Sequence, residues 1–355
     1  MHKSVITEKP TLSFCIPTYN RFKKVISLVN ELLKYNGNDI EVVVIDNHST
    51  DNTASILSGI NDDRFFFYEN ELNIGPLHNA LKGMTKCNGD FIFMCLDKDF
   101  IIYQHISKLV SFFKKNMDIA VGYCSLYEFG NNEIIIYKKG IEALNGVAYL
   151  SKHPTGNFFN NKLLSSLNIM ERFSDENKVG GFALDFIAAE LCLLGNAANI
   201  NTPLCTLETQ DEAKNYKSLT YSGTDGNAYF FPAKRFDTFN NYVTHIRSLS
   251  TSEINKRIMI KKTFHRELIR ATIEFRNKCQ DVYVCAHYNL TPRKIGILQL
   301  FKYDMEFCNK FINKCSYRSR SFRILICAQV HFKIAVNVCR MLIEKVRKKV
   351  FISAK

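Results

Sequence analysis

Short apolar segments alternate with segments of helical periodicity over the first 125 residues, and this alternation restricts the fold more than any other feature. Each apolar segment is continuous, which is typical of parallel strands that helices bury on both faces. Right-handed crossovers between such strands produce a doubly wound α/β sheet. The predicted strands are 12–16, 40–45, 64–68 and 90–96, and the helices predicted between them are 22–33, 54–57 and 75–87.

The pattern changes in the remainder of the 355-residue chain. Segments 119–129 and 133–137 predict an antiparallel hairpin across a Gly-Asn-Asn turn, and a helix is expected over 183–194. From about residue 234 onward the periodicity is helical. We therefore expect an α/β domain over 1–232 and a helical, basic region over 233–355. The helices predicted there are 235–249, 251–279, 292–315 and 319–349.

The net formal charge of +13 is concentrated at the C-terminal end, where residues 301–355 carry +10. Lys333 and Arg340 interrupt the most apolar helix there, and no uncharged run approaches the ~20 residues of a membrane span. A packed helix with a solvated charged face and an interfacial amphipathic helix are the two alternatives. An anionic membrane surface is the favoured partner, because a nucleic-acid-binding protein would spread its charge more widely. The basic residues are Arg318, Arg320, Arg323, Lys333, Arg340, Lys345, Arg347, Lys348 and Lys349.

The cysteine content bears on the cellular compartment. The twelve cysteines form no Cys-x-x-Cys pair, and the spacing of cysteine and histidine residues predicts no metal site. The first ten residues contain no apolar run of signal-peptide length. We therefore expect a cytoplasmic protein whose thiols are reduced and mostly buried.

Polar residues follow each of the four predicted parallel strands. Ligands of such sheets bind beyond the carboxyl ends of the strands, so we expect these four segments to converge on one site. In chain order the segments are Pro17 to Arg21, Asp46 to Asp51, Asn70 to Asn79, and Asp97 to Asp99.

The sharpest of these segments is Asp97-Lys98-Asp99, in which two carboxylates leave the sheet one residue apart. Mg²⁺ and Mn²⁺ take oxygen ligands, commonly one or two carboxylates together with phosphate oxygens. Such a cation neutralises the charge of a diphosphate leaving group. A polar turn that caps the next helix is the alternative for an isolated Asp-x-Asp, but three further polar strand ends favour the metal site.

Four segments together resemble the family 2 glycosyltransferases, which have the GT-A fold. The segments are LSFCIPTYNR (12–21), VVVIDNHSTD (42–51), NIG (73–75) and GDFIFMCLDKD (89–99). The resemblance implies a mixed, mostly parallel sheet flanked by helices, with a nucleotide-binding half at about 10–130 and an acceptor-side half at about 131–232. This sequence departs from many members in having Lys98 at the centre of the metal motif.

The resemblance also implies roles for individual residues on the donor side. Asp46 would accept a hydrogen bond from the imide of a uracil base, and Asp99 with Asp97 would hold Mg²⁺ or Mn²⁺. Each residue has a structural alternative as well, since Pro17 also ends a strand, Gly75 begins a helix and Asp46 favours a turn. Relatives often have arginine where His78 stands, which puts a diphosphate contact there in doubt. The nucleotide-sugar residues implied are Pro17, Thr18, Tyr19, Arg21, Asp46, His48, Asn73, Gly75, His78, Asn79 and Asp97.

On the acceptor side, an inverting transfer needs a general base for the acceptor hydroxyl. Family members place an acidic residue at the start of a helix, a position that Asp185 occupies here. Stabilisation of the helix dipole is the alternative role of this carboxylate. The weaker candidates for the base are Glu190, Glu208 and Asp211, and the segment of His153, Thr155 and Gly156 resembles one beside the donor sugar and acceptor.

We therefore predict a metal-dependent, inverting glycosyltransferase that moves one sugar from a nucleotide diphosphate sugar, with UDP favoured, to a lipid-linked glycan. Its pathway would be a surface polysaccharide such as bacterial capsule or O-antigen, and its place the cytoplasm, peripherally at the inner face of the cell membrane. One alternative is a nucleotidyltransferase of sugar phosphates, which would normally have a Gly-rich phosphate loop after the first strand. The other is a nucleic-acid-binding protein that uses the basic helices.

Overall fold

The computed structural model describes residues 9–126, 133–206 and 228–314, and beyond them residues 321, 324, 325, 327, 328, 331, 332 and 335. Two compact units make up the chain. The first unit is Met1–Ala213 with Thr244–Met259, and the second is Lys214–Val243 with Ile260–Lys355. The domain boundary between residues 232 and 233 stays a prediction.

The first unit contains one mixed β-sheet. Its described strands are β1 (Leu12–Thr18), β2 (Ile40–Asp46), β3 (Phe65–Glu69), β4 (Phe91–Met94), β5 (Phe100–Ile101), β6 (Ile119–Leu126), β7 (Ile134–Tyr137), β8 (Asn157–Asn160) and β9 (Asn196–Thr206). They lie in the order β3-β2-β1-β4-β8-β6-β9-β5, and β7 pairs with β9.

The part of the sheet formed by β3, β2, β1 and β4 is parallel, as the continuous apolar segments predict. Every residue of β2 is buried, which agrees with a strand covered on both faces. The register sets Thr18 opposite Asp46 and Asp46 opposite Glu69. The carboxyl ends of β1, β2 and β3 are therefore level at one edge of the sheet.

Helices cover these strands in the predicted order. Helix α1 begins and ends at the predicted residues, and its buried side chains recur at the spacing of one helix face. The described α-helices of this unit up to residue 191 are α1 (Phe22–Leu33), α2 (Thr53–Leu57), α3 (Pro76–Met84), α4 (Ile106–Lys115), α5 (Ile141–Val147), α6 (Asn161–Ser165), α7 (Ile169–Phe173), α8 (Glu176–Val179) and α9 (Ala183–Leu191).

Aromatic side chains pack β4 and β8 against α4. The Phe91 ring stacks on Phe113 with 4.3 Å between centroids, and Phe113 meets the Phe158 ring edge-on at 5.0 Å. All three are fully buried, and each contributes about 1.5–3 kcal/mol through removal of apolar surface from water. This packing fixes the strand from which Asp97 and Asp99 emerge.

The predicted hairpin of β6 with β7 is wrong. β9 lies between them in the sheet, parallel to β6 and antiparallel to β7. The strand segments were recognisable from their apolar residues, but their pairing depends on β9, whose Asn, Thr and Pro residues gave no strand pattern. The predicted turn, residues 127–132, lies outside the described residues.

The chain is helical from residue 232 onward wherever long elements are described. In the second unit, Phe264 stacks on Phe311 at 4.2 Å between centroids, and Phe239 packs edge-on against Phe264. These aromatic contacts join three helices of that unit. The described helices are α10 (Pro232–Ser248), α11 (Glu253–Ile269), a π-helical turn (Arg270–Glu274), α12 (Phe275–Gln280), α13 (Val282–His287) and α14 (Ile297–Lys314).

The predicted basic helix 319–349 lies largely outside the described residues, including all nine basic residues on which the membrane prediction rests. The few described positions between 321 and 335 are helical. In the described part of the chain, no helix combines the length and apolar character that crossing a membrane requires.

Candidate functional site

Asp97 joins the first and fourth strand ends. It follows β4 and is 3% exposed. Thr18 Oγ1 donates a hydrogen bond to its Oδ2 over 2.8 Å, and Arg21 Nη1 donates to its Oδ1 over 2.9 Å. Burial raises the pKa of the Asp97 carboxyl, while the Arg21 charge and the two hydrogen bonds lower it in part. The structure thus brings three of the predicted nucleotide-sugar residues together.

The Asp99 carboxylate makes different hydrogen bonds from those of Asp97. It is 1% exposed, and its Oδ2 lies 2.5 Å from Thr155 Oγ1 and 2.6 Å from His153 Nε2. Its Oδ1 is buried and has no hydrogen-bond partner among the described residues. Leaving a buried carboxylate oxygen unpartnered costs free energy, and carboxylate oxygen is the ligand that Mg²⁺ and Mn²⁺ prefer. Asp99 therefore fits the predicted metal.

A tight turn delivers His153 and Thr155 to Asp99. Gly156, next to Thr155, has φ +102°, and a Cβ there would lie 2.4 Å from the backbone oxygen of Cys124. Its own N–H donates to Met94 O of β4, and its C=O accepts from Cys124 N of β6. Thr155 Oγ1 also accepts the N–H of Leu96. Glycine is required here because any side chain would displace the turn from both strands.

The second strand end is tied to the first through Ser49. Asp46 is fully buried and accepts hydrogen bonds from Ser49 Oγ at 2.5 Å and from Ser49 N at 3.2 Å. Burial raises the pKa of Asp46, and the two bonds from Ser49 oppose this rise. Ser49 Oγ in turn accepts the N–H of Asn20, whose Oδ1 accepts the N–H of Thr50. Ser49 lies in the predicted strand-end segment Asp46 to Asp51 but was not among the predicted nucleotide-sugar residues, and the structure shows that it links both loops.

A network of asparagine amides holds the third segment. Asn47 Nδ2 donates to Asn73 Oδ1 at 2.7 Å, and Asn70 Nδ2 donates to Asn79 Oδ1 at 2.8 Å. Asn79 Nδ2 donates to Ile45 O at 3.2 Å, so its side chain is bound to β2. These bonds fasten the loop between β3 and α3 to the sheet edge. The predicted ligand contacts of Asn73 and Asn79 stay predictions.

The other predicted donor-side residues line the same edge. Pro17 and Tyr19 are partly exposed on either side of Thr18. His48 is half-exposed with φ +63°, and Gly75 has φ +84° just before α3. His78 is partly exposed in the first turn of α3. Each of these residues is at least partly exposed and is therefore accessible to a ligand.

Asp185 lies in the first turn of α9 and is 8% exposed. Its Oδ1 accepts the N–H of Leu150 at 3.0 Å, and its Oδ2 accepts the N–H of Ser151 at 2.8 Å. Tyr149 and Ser151 both have left-handed φ values, +54° and +42°, which non-glycine residues adopt at a cost. Asp185 therefore anchors the strained turn that leads into His153, a role that the helix-dipole alternative did not include.

Glu190 belongs to an ionic cluster on the opposite end of α9. Both of its carboxylate oxygens contact the Arg172 guanidinium, and Oε1 lies 3.1 Å from His245 Nε2. Burial raises the pKa of Glu190, but hydrogen bonds from His245 and Arg172 and their charges outweigh it, so the net shift is downward. This pairing suits a structural carboxylate better than a base. Glu208 and Asp211 lie outside the described residues.

Comparison with known proteins shows what residues 13–174 are similar to. Residues 13–174 match the family described as Glycosyl transferase family 2. Over 173 residues, 47% of this chain and 56% of the relative, the sequence is 26% identical to the GalNAc(5)-diNAcBac-PP-undecaprenol beta-1,3-glucosyltransferase of Campylobacter jejuni. Over 288 residues, 73% of this chain and 80% of the relative, it is 24% identical to the abequosyltransferase RfbV of Salmonella typhimurium.

A similar fold occurs in a solved structure. The crystal structure of S. aureus TarS in complex with UDP-GlcNAc superposes with a TM-score of 0.58 at 16% identity, covering 84% of this chain and 81% of that chain. The resemblance stated from the sequence is confirmed, and so is the predicted fold, a mixed and mostly parallel sheet flanked by helices and followed by a helical region. The roles of individual residues stay predictions.

Proposed function

Because residues 13–174 match Glycosyl transferase family 2, we propose that the chain transfers one sugar from a nucleotide diphosphate sugar in bacterial surface-polysaccharide synthesis. The observation that carries this proposal is the pair Asp97 and Asp99 at the sheet edge. One carboxylate is fixed by the first strand end, and the other keeps a buried oxygen available for a cation. The family match favours this function over the nucleotidyltransferase and nucleic-acid alternatives.

On the donor side, the loops after β1 and β2 would bind the nucleoside. The nucleotide proposed is UDP, and Asp46, opposite Thr18 in the sheet, would accept the imide N–H of its uracil. Arg21 and Thr18 orient Asp97 toward the ribose. The bonds of Ser49 to Asp46 and to Asn20 N keep the two loops in a fixed relation before the donor arrives, which lowers the entropy cost of binding.

The residues that would hold Mg²⁺ or Mn²⁺ are Asp99 and, beside it, Asp97. When bound, such an ion neutralises the charge that develops on the leaving diphosphate. Thr155 and His153 contact only Oδ2 of Asp99, so they orient the carboxylate and leave Oδ1 directed away from them. Partners of this kind raise metal affinity through orientation of the ligand.

On the acceptor side, Asp185 would take the proton of the acceptor hydroxyl, as inversion requires. Its Oδ1 accepts the N–H of Leu150 and its Oδ2 accepts the N–H of Ser151, so the carboxylate is held at a fixed position at the start of α9. The same two bonds connect the proposed base to the turn that carries His153 and Thr155. This turn would thereby position both Asp185 on the acceptor side and the partners of Asp99 on the donor side.

A lipid-linked acceptor is supported by the name of the Campylobacter relative, which specifies a PP-undecaprenol glycan. The excess of +10 charge in residues 301–355 would hold the enzyme at an anionic membrane surface on the cytoplasmic side. Each basic group near such a surface contributes about 1 kcal/mol. The location is therefore proposed as peripheral, at the inner face of the cell membrane.

Nucleotide binding tests the proposal directly. Thermal unfolding is measured with UDP, GDP, CDP, dTDP and ADP, with and without Mn²⁺, on the wild type, Asp99→Asn and the control Asp90→Asn. Asp90 pairs with Lys9 at the surface, so the control removes an equal charge away from the site. A diphosphate at 100 times its Kd adds about 2.7 kcal/mol of stability.

We expect UDP with Mn²⁺ to stabilise the wild type and Asp90→Asn but not Asp99→Asn. Stabilisation by another single diphosphate would keep the transferase and overturn the uridine assignment. If no diphosphate stabilises the wild type, or if Asp99→Asn responds like the wild type, the proposed donor and metal site is wrong.

A further inference from the structure

The second unit contains a cluster of side chains that glycosyl transfer does not use. Asp304 and Cys308 are four residues apart on α14, which places them on one face of the helix. Cys327 and His331 are also four residues apart, at helical positions further along the chain. Two pairs with i, i+4 spacing thus come from two helical segments.

The side-chain ligand atoms of Asp304, Cys308 and His331 all lie within 4.8 Å of one another. His331 Nδ1 contacts Asp304 Oδ2, and Cys327 Sγ lies 4.0 Å from the backbone oxygen of Cys308. Asp304, Cys308 and Cys327 are 1%, 2% and 4% exposed. Asp304, Cys308 and His331 are close enough to share one metal ion, and Cys327 lies beside Cys308.

A cation bound beside Asp304 would compensate the negative charge of this buried carboxylate. Its Oδ1 is buried without a hydrogen-bond partner among the described residues. Burial raises the pKa of this carboxyl, although the adjacent His331 lowers it in part. Glu267, equally buried in the same unit, pairs with Arg270 instead. Asp304 has one imidazole and two thiols around it, and all three are side chains that ligate zinc.

We propose that Asp304, Cys308 and His331, with Cys327 as the fourth ligand, bind a zinc ion. Sulfur, nitrogen and a single carboxylate are the ligand types that select Zn²⁺, whereas the all-oxygen pair near β4 suits Mg²⁺ or Mn²⁺. On binding, each ligating thiol releases its proton to solvent and coordinates as thiolate. Four protein ligands make a closed, structural site that fastens the segment after α14 to that helix.

Sequence reasoning predicted no cysteine–histidine metal site, and this site would correct it. The usual signals place two cysteines two to four residues apart, or use histidine pairs. Here each helical segment contributes an unlike pair, Asp with Cys and Cys with His. The combination becomes visible only when the packing of the segments is known.

Metal content of the purified full chain tests the proposal. Zinc per chain is measured by plasma mass spectrometry on the wild type, Cys308→Ser and His331→Gln. The controls are Cys285→Ser, which removes a buried thiol of the same unit, and Asp99→Asn, which removes the proposed hard-cation ligand. We expect one zinc per chain in the wild type and both controls, and at least a tenfold loss in Cys308→Ser and His331→Gln. A zinc-free wild type after reconstitution, or zinc retained in both cluster variants, overturns the proposal.

Cobalt substitution keeps the test valid if a cluster variant fails to fold. The wild-type chain, titrated with Co²⁺ under reducing conditions, should develop thiolate-to-cobalt absorption that saturates at one equivalent and disappears when Zn²⁺ is added. The band should weaken in Cys327→Ser, and an unchanged band there removes Cys327 from the ligand set. Absence of the band in the wild type, or a Cys308–Cys327 disulfide in peptides from the protein kept in reducing buffer, contradicts the site.

Discussion

Two buried carboxylates of the first unit, Asp99 and Asp185, are surrounded in opposite ways. Asp99 receives Thr155 and His153 on one oxygen and leaves the other without a partner among the described residues. Asp185 accepts a backbone N–H on each of its two oxygens. The first arrangement leaves one carboxylate oxygen open to a cation, while the second engages both oxygens with the chain itself.

The difference separates a ligand-binding carboxylate from one that also supports the fold. A cation can complete the coordination of Asp99 without breaking a hydrogen bond. A proton taken up by Asp185 would weaken the bonds that hold residues 150 and 151, because a neutral carboxyl accepts more weakly than a carboxylate. Removing Asp99 should therefore affect chemistry almost alone, and removing Asp185 should affect both chemistry and structure.

The largest effect is expected for Asp99→Asn. Loss of the charged ligand should lower the rate of sugar transfer at least about 10³-fold, since stabilisation of the leaving diphosphate is lost. The free energy of unfolding without ligands should be unchanged or higher, because a neutral amide replaces a buried carboxylate whose Oδ1 has no hydrogen-bond partner among the described residues. Transfer rates at a series of Mn²⁺ concentrations and urea unfolding measure both quantities. If Asp99→Asn lowers the free energy of unfolding but keeps full activity, Asp99 supports the fold and is not the metal ligand.

Asp185→Asn should reduce kcat about 10²- to 10³-fold while UDP binding is retained. The amide keeps one oxygen as acceptor but loses the other, so stability should also fall by about 1 kcal/mol. The matched control is Asp175→Asn, which changes a carboxylate that accepts a backbone N–H at the start of α8. If both variants lose stability alike and neither loses kcat, Asp185 is an anchor and not the base.

Gly156→Ala tests the turn that brings Thr155 to Asp99. The left-handed φ and the approach to Cys124 O predict a loss of stability on the order of 1–3 kcal/mol, together with weaker Mn²⁺ activation because Thr155 moves. Gly181→Ala is the control, since it shares a positive φ of +78° but has no atom within 4 Å of the added Cβ. Urea unfolding that shows equal losses in the two variants would contradict the close-contact argument.

Sequence patterns predicted the donor side of the first unit well because the information there is local. Continuous apolar segments identify β1 to β4, and the rule for parallel sheets brings Asp97 and Asp99 to the same edge as Thr18. The acceptor side depends on contacts between distant segments. Nothing near Asp185 in the sequence indicates that Leu150 and Ser151 donate to it, because Tyr149 and Ser151 are not residues that favour a left-handed backbone.

The same limit applies to strand order and to the amide network. The sequence of β9 is polar enough to read as irregular, so its insertion between β6 and β7 follows only from tertiary packing. Asn47 and Asn70 look like ordinary turn residues, and the hydrogen bond from Asn70 Nδ2 to Asn47 Oδ1 requires the loops to be in place. The Asp304 cluster needed the packing of two helical segments for its recognition.

Glu190 gives the smallest expected effect and extends the comparison to a carboxylate that is fully charge-paired. Its pKa is lowered in the folded state, so it contributes stability above the unfolded-state value of about 4.5, and this contribution is lost as the pH falls through the folded value. For a partly exposed pair with Arg172 and His245 the contribution should be at most about 1 kcal/mol. Urea unfolding between pH 7 and pH 4 should therefore show a shallower fall in stability for Glu190→Gln than for the wild type. Glu171→Gln, which changes an exposed carboxylate of α7, should keep the wild-type slope, and identical slopes in all three proteins would show that the ionic cluster does not stabilise the fold.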